Sequence, residues 1–186
     1  MEDTSASLLV KLASDSDHTA WETFCDVYAP LICTFACRRG LQQNDAADVT
    51  QEVLIRVVRS IRTFEYDRHR GRFRDWLYRI VRNELARWRG KQARHSSESL
   101  EDPAAEVTAE WSESFQQHIL ETALARIRAV TQVDAWHAFE QTWLLGKPAQ
   151  EVARETGCKL DFVYHAKSRT LKKLQLEIAH LTDDAV

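Results

Sequence analysis

Apolar residues recur at three- and four-residue intervals along nearly all of this chain, and alternating strand-like runs are hard to find. Ser7 to Leu12 is a short helix candidate. From Thr19 to Arg39, the residues Trp21, Phe24, Val27, Tyr28, Leu31, Ile32 and Phe35 fall on one helical stripe, which Gly40 is placed to end. A second stripe of Val49, Val53, Leu54, Val57 and Ile61 predicts a helix capped by Asn44 or Asp45 and ending near Ile61. A loop rich in Arg and aromatics, Thr63 to Arg72, leads into a third long helix over Phe73 to about Lys91. Its inner face carries Trp76, Leu77, Ile80, Val81 and Leu85.

The pattern breaks at Ser96 to Ser114, an acidic, Ser-rich stretch holding Pro103, which suits a linker or a weakly ordered segment. Beyond it, Phe115 to about Val130 and Val133 to Leu145 read as helices. Gly146-Lys147-Pro148 ends the second, and Pro148 suits the first turn of a helix over Ala149 to Thr156. Gly157 closes that helix, and a last long one covers about Leu160 to Leu181. The expected fold is all-α: two small helical domains, 1–95 and 115–186, joined by an acidic linker at 96–114.

Composition supports this, with only five Gly and three Pro in 186 residues. The four cysteines form no CxxC pair, and no signal peptide or long apolar run occurs, so a reduced cytoplasmic setting without membrane insertion is expected. Cys33 and Cys37 stand one helical turn apart, but no matching His/Cys pair lies at ligand spacing. All four are therefore expected as small buried hydrophobes. No phosphate-cradling Gly loop, HExxH motif or acid pair with a His is present, so no catalytic residue, metal or cofactor is predicted.

Charge changes the picture more. The formal net charge of -3 conceals thirteen Lys/Arg against four acids between Arg56 and Arg94, a local +9. His95 to Ala125 has no Lys or Arg and seven acids. So dense a basic block attracts polyanions whatever the average. Its arginines are interleaved with Phe64, Tyr66, Phe73, Trp76, Tyr78 and Trp88, and exposed rings beside cations suit unpaired bases. Trp76 shares the apolar stripe and is expected to be structural. Arg72, Arg79, Arg82, Asn83, Arg87 and Arg94 are the better candidates for DNA.

Pro148 to Leu171 meets the demands of a helix-turn-helix: small Ala153 at the crossing, Gly157 at the turn, and Val163 and Ala166 facing back, with Val152, Cys158 and Leu160 completing the core. Asp161, Tyr164, His165, Ser168, Arg169 and Lys172 then fall on the outer face of the second helix, suited to a major groove. Lys159, Lys167 and Lys173 flank it, within reach of phosphates. A plain helix pair with a solvated charged face is the competing reading.

These segments together resemble the extracytoplasmic-function sigma factors of the sigma-70 family. Asp45-Ala-Ala-Asp48-Val-Thr-Gln51-Glu52-Val-Leu resembles region 2.2, which implies that Asp48, Gln51, Glu52 and Arg56 dock on core RNA polymerase. Phe73-Arg-Asp-Trp76-Leu77-Tyr78-Arg79-Ile80-Val-Arg-Asn83 is similar to regions 2.3 to 2.4. That similarity implies −10 recognition by Asn83 and the Phe64 to Phe73 loop, including Tyr66 and Arg72, with Arg79, Arg82 and Arg87 on backbone or base edges. Pro148 to Leu174 resembles region 4.2, which implies −35 recognition. The chain departs from the family where Tyr164 and His165 replace small or basic residues, and where Ala86 replaces a frequent Asp.

The function implied is that of a non-enzymatic subunit directing core polymerase to promoter DNA and helping to melt the −10 element, with an anti-sigma protein as a further partner. The alternative is a two-domain helix-turn-helix regulator that does not dock on polymerase.

Overall fold

The computed structural model describes residues 8–13, 18–61, 73–93 and 104–182, and among these the regular structure is helical throughout. The elements are α1 (Leu8–Ala13), α2 (His18–Arg38), α3 (Gln43–Ser60), α4 (Phe73–Ala93), α5 (Ala104–Ala129), α6 (Val133–Phe139), α7 (Ala149–Thr156) and α8 (Leu160–Thr182). They fall into two compact units, Met1–Ile119 with Leu181–Asp184, and Leu120–His180 with Ala185–Val186.

In the first unit α2 packs on α1 and α3, and α3 on α4. The stripe read from the sequence is the one buried: Phe24, Val27, Tyr28, Leu31, Ile32 and Phe35 from α2, Val49, Val53 and Val57 from α3, and Leu77, Val81 and Leu85 from α4. Packing of these faces, rather than helix propensity, holds the unit together. Pro30 sits inside α2 at an exposed position, so the carbonyl it deprives of a helical donor lies on the water side. The start of α3 differs from expectation. Its N-cap is Gln42, whose backbone carbonyl accepts from Ala46 N at 2.8 Å, and no side chain caps it. Asp45 instead lies in the first turn, where its charge favours the helix dipole.

The segment expected as a linker to residue 114 is helical from Ala104. The reason is a buried stripe at four-residue spacing, Trp111, Phe115, Ile119, Ala123 and Ile127, which the surrounding Ser and Glu residues obscure. Trp111 packs edge-on to Phe35 at 5.0 Å between centroids and stacks on Tyr78 at 5.7 Å. Its Nε1 donates to the Arg74 carbonyl at 3.1 Å. Glu110 pairs with Arg39, Arg38 donates to Ser114 Oγ at 3.1 Å, and His118 Nε2 donates to the Val27 carbonyl at 2.6 Å. This end of α5 is a wall of the first unit.

The cysteines also depart from expectation: all four are free and half-buried. Cys37 Sγ donates to Gln43 Oε1 at 3.5 Å, and Gln43 Nε2 to Cys33 Sγ at 3.7 Å. Partial desolvation, then the neighbouring Cys33, push the Cys37 thiol above its ordinary pKa. No described helix is long and apolar enough to cross a membrane.

In the second unit, α6 runs into one π-helical turn, Glu140–Leu144, where Thr142 Oγ1 donates to the Ala138 carbonyl at 2.7 Å. Phe139 is fully buried and stacks on Trp143. Gly146 at φ +69° turns the chain into α7.

Candidate functional site

Two surfaces collect the residues singled out by the sequence. The first is the groove between α3 and α4. Asp48, Gln51 and Glu52 are exposed on α3 because Val49, Val53 and Val57 take its inner face. Arg79, Arg82, Asn83 and Arg87 are exposed on α4 for the same reason. The groove floor holds an acid that sequence reading missed. The Glu84 side chain is only 8% exposed, and its Oε1 pairs with Arg87 Nη1 at 2.6 Å and with Arg56 Nε at 3.2 Å. An arginine of the expected docking face and one of the expected DNA face thus meet on one carboxylate oxygen. Burying that charge is tolerable because two guanidiniums accompany it, and each keeps donors free in water.

Glu84, Arg56 and Arg87 separate two stretches of the groove. One, of about 430 Å³, is lined by Asp48, Glu52 and Glu84 against Arg56, Arg87 and Lys91, with Trp88 half-buried beside them, and is electrically balanced. The other, of about 190 Å³, is lined by Arg56, Arg59, Arg87, Asn83, Ser60 and Ile80 over Glu84 and carries a net +2.

One expectation is corrected here. Phe73, expected to face DNA, is 1% exposed; it packs on Tyr28 at 5.5 Å and Phe24 at 6.2 Å, because the first turn of α4 closes the core. Tyr78 is likewise a core ring against Phe35 and Trp111. Trp76 is half-buried against Phe73. Phe64, Tyr66, Arg72 and Arg94 lie outside the described residues.

The second surface is the helix-turn-helix. Ala138, Val152, Val163 and Ala166 form its buried cluster, with Ala149, Ala153 and Cys158 packed around them. Gly157 turns at φ +70°, a conformation that costs an L side chain strain and glycine almost none. Lys147 Nζ pairs with Glu155 Oε2 at 3.0 Å and, by hydrogen bond and then charge, holds that carboxyl below its usual range. Asp161, Tyr164, His165, Ser168, Arg169, Lys172 and Lys173 are exposed along α8, as is Lys159 before it, while Lys167 is half-buried. Tyr164, Lys167, Ser168 and Lys172 line an open groove with Gly146, Lys147 and Pro148. Phe162, on the outer side at 37% exposed, is an apolar member of this face that the sequence reading left out. Among the described residues no group of three or more His, Cys, Asp or Glu is placed to hold a metal.

Residues 25–95, which take in α3, α4 and their groove, match the family model of sigma-70 region 2. These residues are thus similar to sigma-70 region 2. Among the chain's relatives is the ECF RNA polymerase sigma factor SigE of Mycolicibacterium smegmatis, 32% identical over 91 residues. That stretch is 49% of this chain and 34% of SigE, so the match spans about a third of the relative's length. Among solved structures, CnrH in complex with the cytosolic domain of CnrY is similar with a TM-score of 0.39 and 18% identity, over 92% of this chain and 95% of that one. The sigma factor RpoE in complex with the anti-sigma factor NepR, from Bartonella quintana, gives a TM-score of 0.32 and 21% identity, over 84% and 95% of the two chains.

Proposed function

We propose that this chain is a promoter-specificity subunit that directs core RNA polymerase to particular promoters and helps open the −10 element. The observation that carries the reading is the α3/α4 groove, where a charge-balanced docking stretch adjoins a cationic stretch beside Asn83. In this reading the first unit is region 2. Asp48, Gln51, Glu52 and Arg56 meet polymerase, while Arg79, Arg82, Asn83 and Arg87, together with Phe64, Tyr66 and Arg72 of the preceding loop, meet the −10 element. The second unit is region 4, in which α8 presents Tyr164, His165, Ser168, Arg169 and Lys172 to −35 base edges, while Lys159 and Lys167 contact phosphates.

The physical division of labour follows from residue type. Arginines supply salt-dependent attraction to phosphates, Asn83 and the rings supply selectivity toward an exposed base, and a flipped base needs stacking and hydrogen bonds to offset a few kcal/mol of unstacking. The chain acts by binding rather than by catalysing a reaction, in the cytoplasm, and its resemblance to small sigma factors adds an anti-sigma protein as a further partner. The relative SigE is itself an ECF RNA polymerase sigma factor, which supports the reading over the third of its length that aligns.

The test is to mix the chain with core polymerase and follow the complex by gel filtration. Co-elution is expected, and charge reversal at Asp48 and Glu52 (D48K/E52K) should abolish it. A chain that binds duplex DNA but never enters the polymerase peak would belong to the alternative, a regulator without docking.

A further inference from the structure

We infer that the cationic stretch of the α3/α4 groove is a seat for one backbone phosphate of nucleic acid, with Arg59 of α3 as a ligand alongside Arg56 and Arg87. The inference deepens the proposed function and rests on it. It adds an α3 residue that the motif reading leaves unassigned, and it gives Arg56 a second role on the DNA side.

Three guanidiniums converge on about 190 Å³ of space, with Glu84 as the one carboxylate among the lining residues. Arg56 and Arg59 stand three residues apart on α3, a spacing at which like charges repel. Glu84 relieves part of that repulsion, since Arg56 and Arg87 share its Oε1. Among the described residues no carboxylate pairs with Arg59. The lining keeps a net +2, which a phosphodiester would reduce to +1.

The donor chemistry agrees with a phosphate. The Arg56 and Arg87 side chains are 44% and 53% exposed, so each contacts Glu84 with one edge and leaves other N–H groups toward the groove. Rigidly held guanidinium forks match phosphate oxygens, and Glu84 supplies the rigidity from a buried position. Asn83 lies in the same lining. A phosphate seated here fixes the strand at the place where the proposed reader meets its base, so anchoring and reading act on adjacent atoms of one nucleotide step.

The test uses the full chain, its Arg59→Gln and Arg59→Lys variants, and a fluorescent fork-junction DNA titrated by anisotropy over a salt series, with polymerase co-elution measured in parallel. Loss of one phosphate contact should lower the slope of log affinity against log salt by about 0.9 in R59Q. R59K should restore most of it, and polymerase co-elution should be unchanged in both variants. Replacing single DNA linkages by neutral methylphosphonates should reproduce the R59Q slope at one linkage, with no further loss when combined with R59Q. An unchanged slope in R59Q, in a protein that still binds DNA and polymerase, would overturn the seat and leave the proposed function standing. So would a millimolar effect of inorganic phosphate on the thermal midpoint that R59Q abolishes without any change in the DNA slope, since the cleft would then be a free-phosphate site. Failure of the unmodified chain to join polymerase at all would instead strike the proposed function.

Discussion

The two units build their exposed working faces by different means. In the second, the α8 face follows from rules local in sequence: Ala153, Gly157, Val163 and Ala166 fix the crossing of α7 and α8, and whatever is not in that cluster points outward. In the first, the α3/α4 groove depends on Glu84, an acid of α4 that gathers arginines from both helices. One face is specified by shape, the other by a buried charge and its partners. Shape-specified faces tolerate polar substitution on their outer side, whereas a charge-specified groove is sensitive to a single carboxylate.

The largest effect sharpens where the first unit ends. Trp111→Ala should cost about 3–5 kcal/mol, read from denaturant unfolding, because a 1% exposed indole is lost from a packed aromatic cluster. A loss below ~1 kcal/mol would return this part of α5 to the status of a linker. Next, Glu84→Ala should destabilise by roughly 1–3 kcal/mol, less than a fully buried pair, because both guanidiniums regain water once released. A double-mutant cycle of Glu84 with Arg56 measures the pair itself; zero coupling would remove the distinction between the two units.

Gly157→Ala should cost about 1–2 kcal/mol in the second unit, purely as backbone strain, since an added Cβ at that position meets nothing within 4 Å. The smallest effect concerns the Lys147–Glu155 pair that ties the turn before α7 to its last turn. The folded-state pKa of Glu155 is lowered, so its contribution is complete above the unfolded carboxylate range and is lost as pH falls through the folded value. Thermal midpoints of wild type and Lys147→Met should differ slightly at neutral pH and converge on acidification, and high salt should erase the difference.

The same contrast explains what the sequence reveals. Helix periodicity places α2, α4, α7 and α8 within a residue or two of their observed bounds because each stripe is continuous, and Gly40 and Gly157 mark the stops of α2 and α7. The outer face of α8 is legible for the same reason. The α5 extension is hidden by polar composition, although Trp111, Phe115 and Ile119 carry a helical stripe in plain view. Phe73 is misplaced because a motif shows that a ring is present, not which way the first turn of its helix directs it. Glu84 and Arg59 escape motif reading because their roles arise only when α3 lies beside α4. Pairwise electrostatics between elements has no periodic signature.

The most direct test is transcription from genomic DNA by core polymerase with and without this chain, followed by sequencing of the 5′ ends. A new set of starts preceded by common −35 and −10 sequences is expected, lost when Arg79, Arg82 and Asn83 are replaced together by Gln, Gln and Ala. An unchanged set of starts, with polymerase and chain both present and folded, would contradict the proposed function.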